Sequence, residues 1–359
     1  MSVPPFLRRL LIWLISLPLL LLLLILLAAG IAISTETGIH SLLGLAPRIL
    51  PWQLSYDRID GRLLGPLHIE RFRYEDGPLK VALASADLDW KPADLFNGTL
   101  NLLQLRFDGL ELQLPPSKPE SEPATGPLTL PDIQLPLVID VADLQGRDIL
   151  IVPAGAAPIR VDTIDLKAHT GNDGLIVDTL AARAPLGEVR LSGRVNPTGG
   201  YPLQARLNWQ LLTPDYGTFN GEGEIQGELQ NRLQLTHQIT GAATLELNGE
   251  VRDPLAKPAW SAKAKLDVAD LKPFVPDLAG KPLTVRLDAH GVLAQFQGQG
   301  EINATVPELG PANLRFTAEG DPKAIKLNEL KITAVDRPLA LNAQGDIHIA
   351  ELLFNISGQ

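Results

Sequence analysis

The chain has 359 residues, with 31 Lys and Arg against 41 Asp and Glu, a formal net charge of −10 and no cysteine. The acidic balance argues against a phosphate backbone as partner, so nucleic acid is not expected. The missing thiols exclude disulfides, thiolate catalysis and Cys-ligated zinc or iron–sulfur centres.

Residues 1–9 end in Arg8 and Arg9, and Leu10 to Ile33 then run 24 residues without a charge. As a helix this stretch is about 36 Å long, enough to cross a hydrocarbon core of roughly 30 Å. No Lys or Arg follows before Arg48. The positive-inside rule therefore puts residues 1–9 in the cytoplasm as a short tail and everything after Ile33 on the far side. Ala28, Ala29, Gly30 and Ala32 would suit a cleavage site. The apolar run is nevertheless far longer than the about 7–15 residues of a signal peptide. A single-pass, uncleaved anchor over 10–33 is expected, with Leu10, Trp13, Leu20, Leu24 and Ile33 in the membrane. Residues 34–51 read as a short amphipathic helix, because Ile39, Leu42, Leu43 and Ala46 share a face at helical spacing. It lies at the membrane surface or packs on whatever follows; both readings stand.

From residue 52 onward the apolar period is 2. Leu103, Leu105 and Phe107 alternate with Gln104 and Arg106, and after Gly109 Leu110, Leu112 and Leu114 alternate with Glu111 and Gln113. The same alternation runs through Val189 and Leu191, Leu245 and Leu247, Leu283, Val285 and Leu287, Leu314 and Phe316, Ile325 and Leu327, and Leu339 and Leu341. Alternation of this kind gives one apolar and one polar face, as in a half-exposed antiparallel sheet. Asp60-Gly61, Asp76-Gly77, Asn97-Gly98, Asp108-Gly109, Gly199-Gly200, Asn248-Gly249 and Gly310-Pro311 predict chain reversals. Short helical turns are predicted at Pro92 to Phe96 and at Leu271 to Leu278. Residues 52–114 thus form a first β segment. Residues 115–136, with seven prolines, form an extended loop that cannot join a sheet centrally. Residues 137–359 form a repetitive β array, in which glycine-flanked strands recur from 187, 221, 241, 298 and 342.

Strands and turns of about 12–16 residues predict about 20–25 strands, and at about 4.8 Å each the sheet is about 100–120 Å long. No helices are available to cover its apolar face. Either the sheet closes on itself as a sandwich or solenoid, or it curls into a trough filled by something else, for which acyl chains are the obvious apolar candidate. The fold expected is mainly β: a transmembrane helix followed by a long, curled, largely antiparallel sheet with an open apolar groove. The residues lining that groove are Leu103, Leu105, Phe107, Leu110, Leu112, Val189, Leu191, Leu245, Leu247, Leu283, Val285, Leu287, Leu314, Phe316, Ile325, Leu327, Leu339 and Leu341.

Catalytic and cofactor signatures are not found. His40, His68, His169, His237, His290 and His348 are isolated in sequence, so no metal site is expected. Gly221, Gly223 and Gly227 have one residue too many for a dinucleotide fingerprint and lie in strand pattern. Trp90, Trp209 and Trp260 read as core or rim packing. No enzymatic activity and no cofactor are expected.

The order of several degenerate motifs carries a resemblance. The Arg8-Arg9-led span is followed by Thr37-Gly38, by Ile59-Asp-Gly61-Arg-Leu63-Leu-Gly65-Pro-Leu67, by Phe72-Arg-Tyr74, by Asp87-Leu-Asp-Trp90-Lys-Pro92-Ala-Asp-Leu95-Phe and by Leu105-Arg-Phe107-Asp-Gly109-Leu110. A proline-rich loop ending Leu130-Pro-Asp-Ile-Gln-Leu-Pro136 and a segment from Asp270 through Leu278-Ala-Gly280 come later. Over nearly its whole length the chain resembles the N-terminal part of the TamB family, within the AsmA-like, bridge-like lipid-transfer proteins. The resemblance implies a β-taco groove in the periplasm, anchored in a bacterial inner membrane and moving phospholipids between inner and outer membranes. It also implies a TamA-like outer-membrane barrel partner, engaged through a large C-terminal region. This chain stops at Gln359 inside a strand pattern, so a fragment or truncation lacking that region is expected. Two other readings remain: a scaffold for outer-membrane protein assembly by β-augmentation with the barrel partner, and a closed β spacer.

Overall fold

The computed structural model describes residues 53–116, 138–171, 174–306, 310–321, 323–334, 340–348 and 353–358. The expected anchor, the helix over 34–51 and most of the proline-rich loop lie outside the described residues. Among the described residues no helix is long and apolar enough to cross a membrane. Those residues are almost all β-strand and divide into two units, one up to residue 116 together with 138–165, the other from 166 onward.

In the first unit β1 (Gln53–Ser55) and β2 (Arg58–Gly61) both pair with β3 (Leu67–Asp76), through Leu54 opposite Tyr74 and Ile59 opposite Ile69. Then come β4 (Leu79–Lys91), β5 (Thr99–Gln113) and β6 (Val138–Val152). β3, β4 and β5 are antiparallel neighbours, and Gly77, at φ 55°, makes the predicted turn between β3 and β4. The 3-10 turn Pro92–Asn97 falls where a helical turn is predicted, and Gly98 at φ 73° ends it. β5 and β6 are parallel, Thr99 beside Val138 and Gln113 beside Val152. A parallel pair needs a long crossover rather than a tight turn, and the chain between Gln113 and Val138, with its prolines, provides the length.

Asp108-Gly109 is not the predicted reversal, since β5 runs straight through it. The pairing of neighbouring residues puts Arg71 opposite Ala84, Ala84 opposite Gly109, and Asp148 beside Gly109. Along this line Arg71 (φ 50°), Gly109 (φ 65°) and Asp148 (φ 48°) have left-handed backbone. The apolar alternation slips by one residue there on each strand, from Ile69 to Phe72, from Leu83 to Ala86 and from Phe107 to Leu110. The twisted residues take up the slip, so each strand bends while keeping its apolar side chains in step. The only buried apolar cluster among the described residues pairs Ile59 with Leu67, with Tyr56, Ile69 and Leu88 packed against it.

β7 (Ile159–Gly171) carries the chain across the division. The second unit then follows in sequence order: β8 (Gly174–Ala184), β9 (Gly187–Val195), β10 (Pro202–Thr213), β11 (Gly217–Glu228), β12 (Arg232–Thr240), β13 (Thr244–Arg252) and β14 (Ala259–Val268). β15 (Leu283–Val292), β16 (Phe296–Val306), β17 (Gly310–Gly320), β18 (Ala324–Ala334), β19 (Ala340–His348) and β20 (Leu353–Gly358) complete it. Every neighbouring pair from β8 to β20 is antiparallel. Among the described residues no pairing returns from β20 to β8, so this long sheet is open, not the closed alternative. Asn248-Gly249, a predicted reversal, lies instead inside β13. The helical stretch predicted at Leu271 to Leu278 shrinks to a 3-10 turn, Pro276–Leu278. The loop around it is pinned by Asp270, whose Oδ1 accepts from the backbone N–H groups of Lys272 (2.9 Å) and Gly280 (2.7 Å). It reaches back to stack Phe274 on Tyr216 of the β10–β11 turn, with ring centroids 5.2 Å apart.

Candidate functional site

Residues directly opposite one another in a sheet share a face, so the register assigns a face to every paired position. One row crosses twelve consecutive strands of the second unit: Ala182, Val189, Trp209, Gly221, Ile239, Leu245, Leu266, Val285, Ile302, Leu314, Ile332 and Leu341. At about 4.8 Å between strands it spans roughly 50 Å. A second row on the same face runs Leu180, Leu191, Leu207, Gly223, His237, Leu247, Ala264, Leu287, Gly300, Phe316, Leu330 and Ala343. Leu283, Ile325 and Leu327 join the same face in further rows. The sites predicted in this unit, scattered over some 150 positions of sequence, thus come together on one surface. Leu339 lies outside the described residues, as do the anchor positions Leu10, Trp13, Leu20, Leu24 and Ile33.

In the first unit Leu105 and Phe107 lie on one side of the slip line, opposite Leu88 and Ala86, and Leu110 and Leu112 on the other. Leu103 is the extra residue of a bulge, because Gln104 pairs with Asp89 and Leu102 with Trp90.

Nothing covers the apolar face among the described residues. The large side chains of its two central rows are half-buried or exposed, Val189 at 37% and Leu287 at 39%, whereas Leu233 (9%) and Val268 (5%) on the same face are buried. Aromatic rings fill part of the surface by lying over glycines: a Cβ on Gly221 would fall 2.1 Å from the Trp209 ring, and one on Gly300 2.4 Å from the Phe316 ring. Trp209, with Ile239, Ile302 and Ile332, belongs to the surface beyond the predicted set, which already held Phe316; only the register, invisible in sequence, puts them there.

His237 is the one ionisable side chain at the paired positions of this face from β8 to β19. Its Nε2 accepts a hydrogen bond of 3.3 Å from the Trp209 indole, and the rings stack at 6.0 Å. Trp209 therefore satisfies one polar edge of the imidazole inside an apolar surround. The other histidines described in side-chain detail stand on the polar side: His68 with Asp87 (2.6 Å), His169 with Asp178 (2.9 Å) and His290 with Gln297 (2.8 Å).

The opposite face is charged and cross-paired. Glu301 lies between Arg286 (4.0 Å) and Arg315 (3.9 Å), Lys263 meets Asp288 (3.5 Å), and Glu250 meets Arg252 (2.5 Å) and Arg232 (3.6 Å). Arg252 above all holds the Glu250 carboxyl below its usual range. A furrow of about 600 Å³ lies on this face between β13 and β18, lined by Lys265, Arg286, Glu301, Arg315 and Lys331. Cations and carboxylates alternate along it and pair with one another, so it is a solvated gap between long side chains rather than a pocket for an apolar guest. No group of three or more potential metal ligands occurs among the described residues.

A family model described as TamB, N-terminal domain, matches residues 23–130 and 124–348. No solved structure matches the chain.

Proposed function

Because the chain belongs to the TamB N-terminal domain family, we propose that its apolar sheet face carries phospholipid acyl chains between the inner and outer membranes of a bacterial envelope, as a curled β-taco anchored by residues 10–33. The observation that carries this reading is the unbroken apolar face across β8 to β19, with one His in two rows of twelve positions and no covering layer. Such a surface in water calls for an apolar occupant. An acyl chain gains about 0.8 kcal/mol for each methylene it buries. Because equivalent Leu, Ile and Val positions repeat at every strand, a chain moves along without meeting a deep trap. Head groups stay toward water. No residue is catalytic in this mechanism, and movement follows a gradient or an external energy source.

The test is site-specific photocrosslinking in cells with a photoreactive residue at Val285, Leu287 or Phe316, compared with Ser261 or Thr317 on the polar face. Phospholipid adducts are expected at the first three positions and not at the last two. Equal labelling of both faces, or adducts to protein alone, overturns the reading; the latter outcome would favour the assembly scaffold.

A further inference from the structure

One end of the first unit differs from the rest of its surface. At this end β2 leads into β3 through the 62–66 loop, β4 leads into β5 through the 3-10 turn Pro92–Asn97, and β6 begins at Val138. The pieces are tied together. The Trp90 indole donates to the Leu63 carbonyl at 2.8 Å, Gly65 N–H to Arg62 O at 3.1 Å, and Val138 N–H to Gly98 O at 2.7 Å. Apolar side chains project from this braced frame: Leu63 is 40% exposed, Leu64 42%, Leu95 38%, Val138 47% and Phe96 95%. Arg62 and Lys91, both exposed, flank them, while the nearby Asp94 carboxylate accepts from Asn101 at 3.0 Å. The other end of the same strands carries Glu75, Asp76 and Glu111, with Lys80 3.9 Å from Glu75.

We propose that this end is a membrane-contact tip, which sets Leu63, Leu64, Leu95 and Phe96 among the lipids of the bilayer that holds residues 10–33, with Arg62 and Lys91 at the head-group level. Large apolar side chains bordered by cations match the chemistry of an anionic lipid surface. The chain length allows it. Gln53 enters the sheet at the opposite end, opposite Glu75, and β3, at ten residues, is about 33 Å long. Residues 34–52 span at most about 65 Å when extended and about 28 Å as one helix, so the far end of the unit reaches the membrane when part of this segment is extended. The proposal deepens the lipid-carrying function and rests on it: the tip is where lipid would pass between bilayer and sheet.

The chain has no native cysteine, so a single label reports one place. Full-length Phe96→Cys, labelled with the fluorophore NBD, is reconstituted in phosphatidylethanolamine–phosphatidylglycerol vesicles with and without doxyl-quencher lipids; Asp76→Cys is the control. Blue-shifted emission quenched by doxyl lipid is expected at position 96, and water-like, unquenched emission at 76. Adding Arg62→Glu and Lys91→Glu is expected to remove the quenching at 96 while the protein stays in the vesicles. Water-like emission at 96, or a blue shift without quenching as a protein partner would give, overturns the tip. Should phospholipid adducts persist at Val285 and Leu287 in that case, the tip fails alone and the lipid-carrying function stands.

Discussion

His68 on β3 places its Nδ1 2.6 Å from Asp87 on β4 and its Nε2 3.3 Å from Glu70. The hydrogen bond to Asp87 is the main reason its proton is held more tightly than usual; burial opposes this and Glu70 adds to it. The folded-state pKa therefore lies above the ordinary value of about 6.5. A raised pKa means that the imidazolium contributes stability fully below the unfolded value and loses it as pH rises through the folded one. The contribution is small, since the pair is partly solvated. Titration by proton NMR is expected to give His68 a pKa above 6.5, and Asp87→Asn to bring it down; an unchanged value in the variant would assign the shift to some other neighbour.

At the scale of the element, the slip line across β3 to β6 is the device that keeps long strands amphipathic through a bend. Gly109 is its tightest point. Its φ of 65° is unfavourable for any side chain with a Cβ, and an added Cβ would lie 2.7 Å from the Ala84 Cβ. Gly109→Ala is expected to destabilise the first unit by about 1–3 kcal/mol, seen as a lower denaturant midpoint. Ala84→Gly in the same chain removes the collision but not the backbone strain, so it should restore only part of the loss. Full recovery would mean that the bend stores no backbone strain. In the second unit the slips are taken by bulges instead, as between Val177 and Leu180 on β8 and between Leu327 and Leu330 on β18. They keep the apolar rows aligned where the repeat is imperfect.

At the scale of the whole molecule, stability and the proposed function draw on the same surface. The sheet of the second unit has one apolar face with no second strand layer packed on it, so the usual two-layer core is missing from the described residues of that unit. Charges placed on that face should therefore harm an occupant more than the fold. Val285 and Leu314 lie in one row, separated by Ile302. Val285→Asp or Leu314→Asp is expected to reduce phospholipid transfer between membranes several-fold with little change in the unfolding midpoint, while Ser261→Asp on the polar face leaves both unchanged. Normal transfer in a folded Leu314→Asp protein would refute the acyl-chain path.

The strand class, the two-faced character and most of the face-forming residues were legible in the sequence, because a period of 2 needs only local information. Val189, Leu245, Val285 and Leu314 could each be placed on an apolar side from their own neighbours. That they stand on the same side, in register, across twelve strands was decided by the tertiary structure, since pairing is set between segments distant in sequence. The parallel β5–β6 pair, the reading of Asp108-Gly109 and Asn248-Gly249 as strand interior rather than turns, and the meeting of Trp209 with His237 have the same origin. A dipeptide that permits positive φ does not say whether the chain reverses there or merely bends. Sequence by itself determined that this protein would have an apolar face in need of an occupant. The structure alone decided that the described strands leave this face open, because only the arrangement of whole strands shows whether a second layer closes over it.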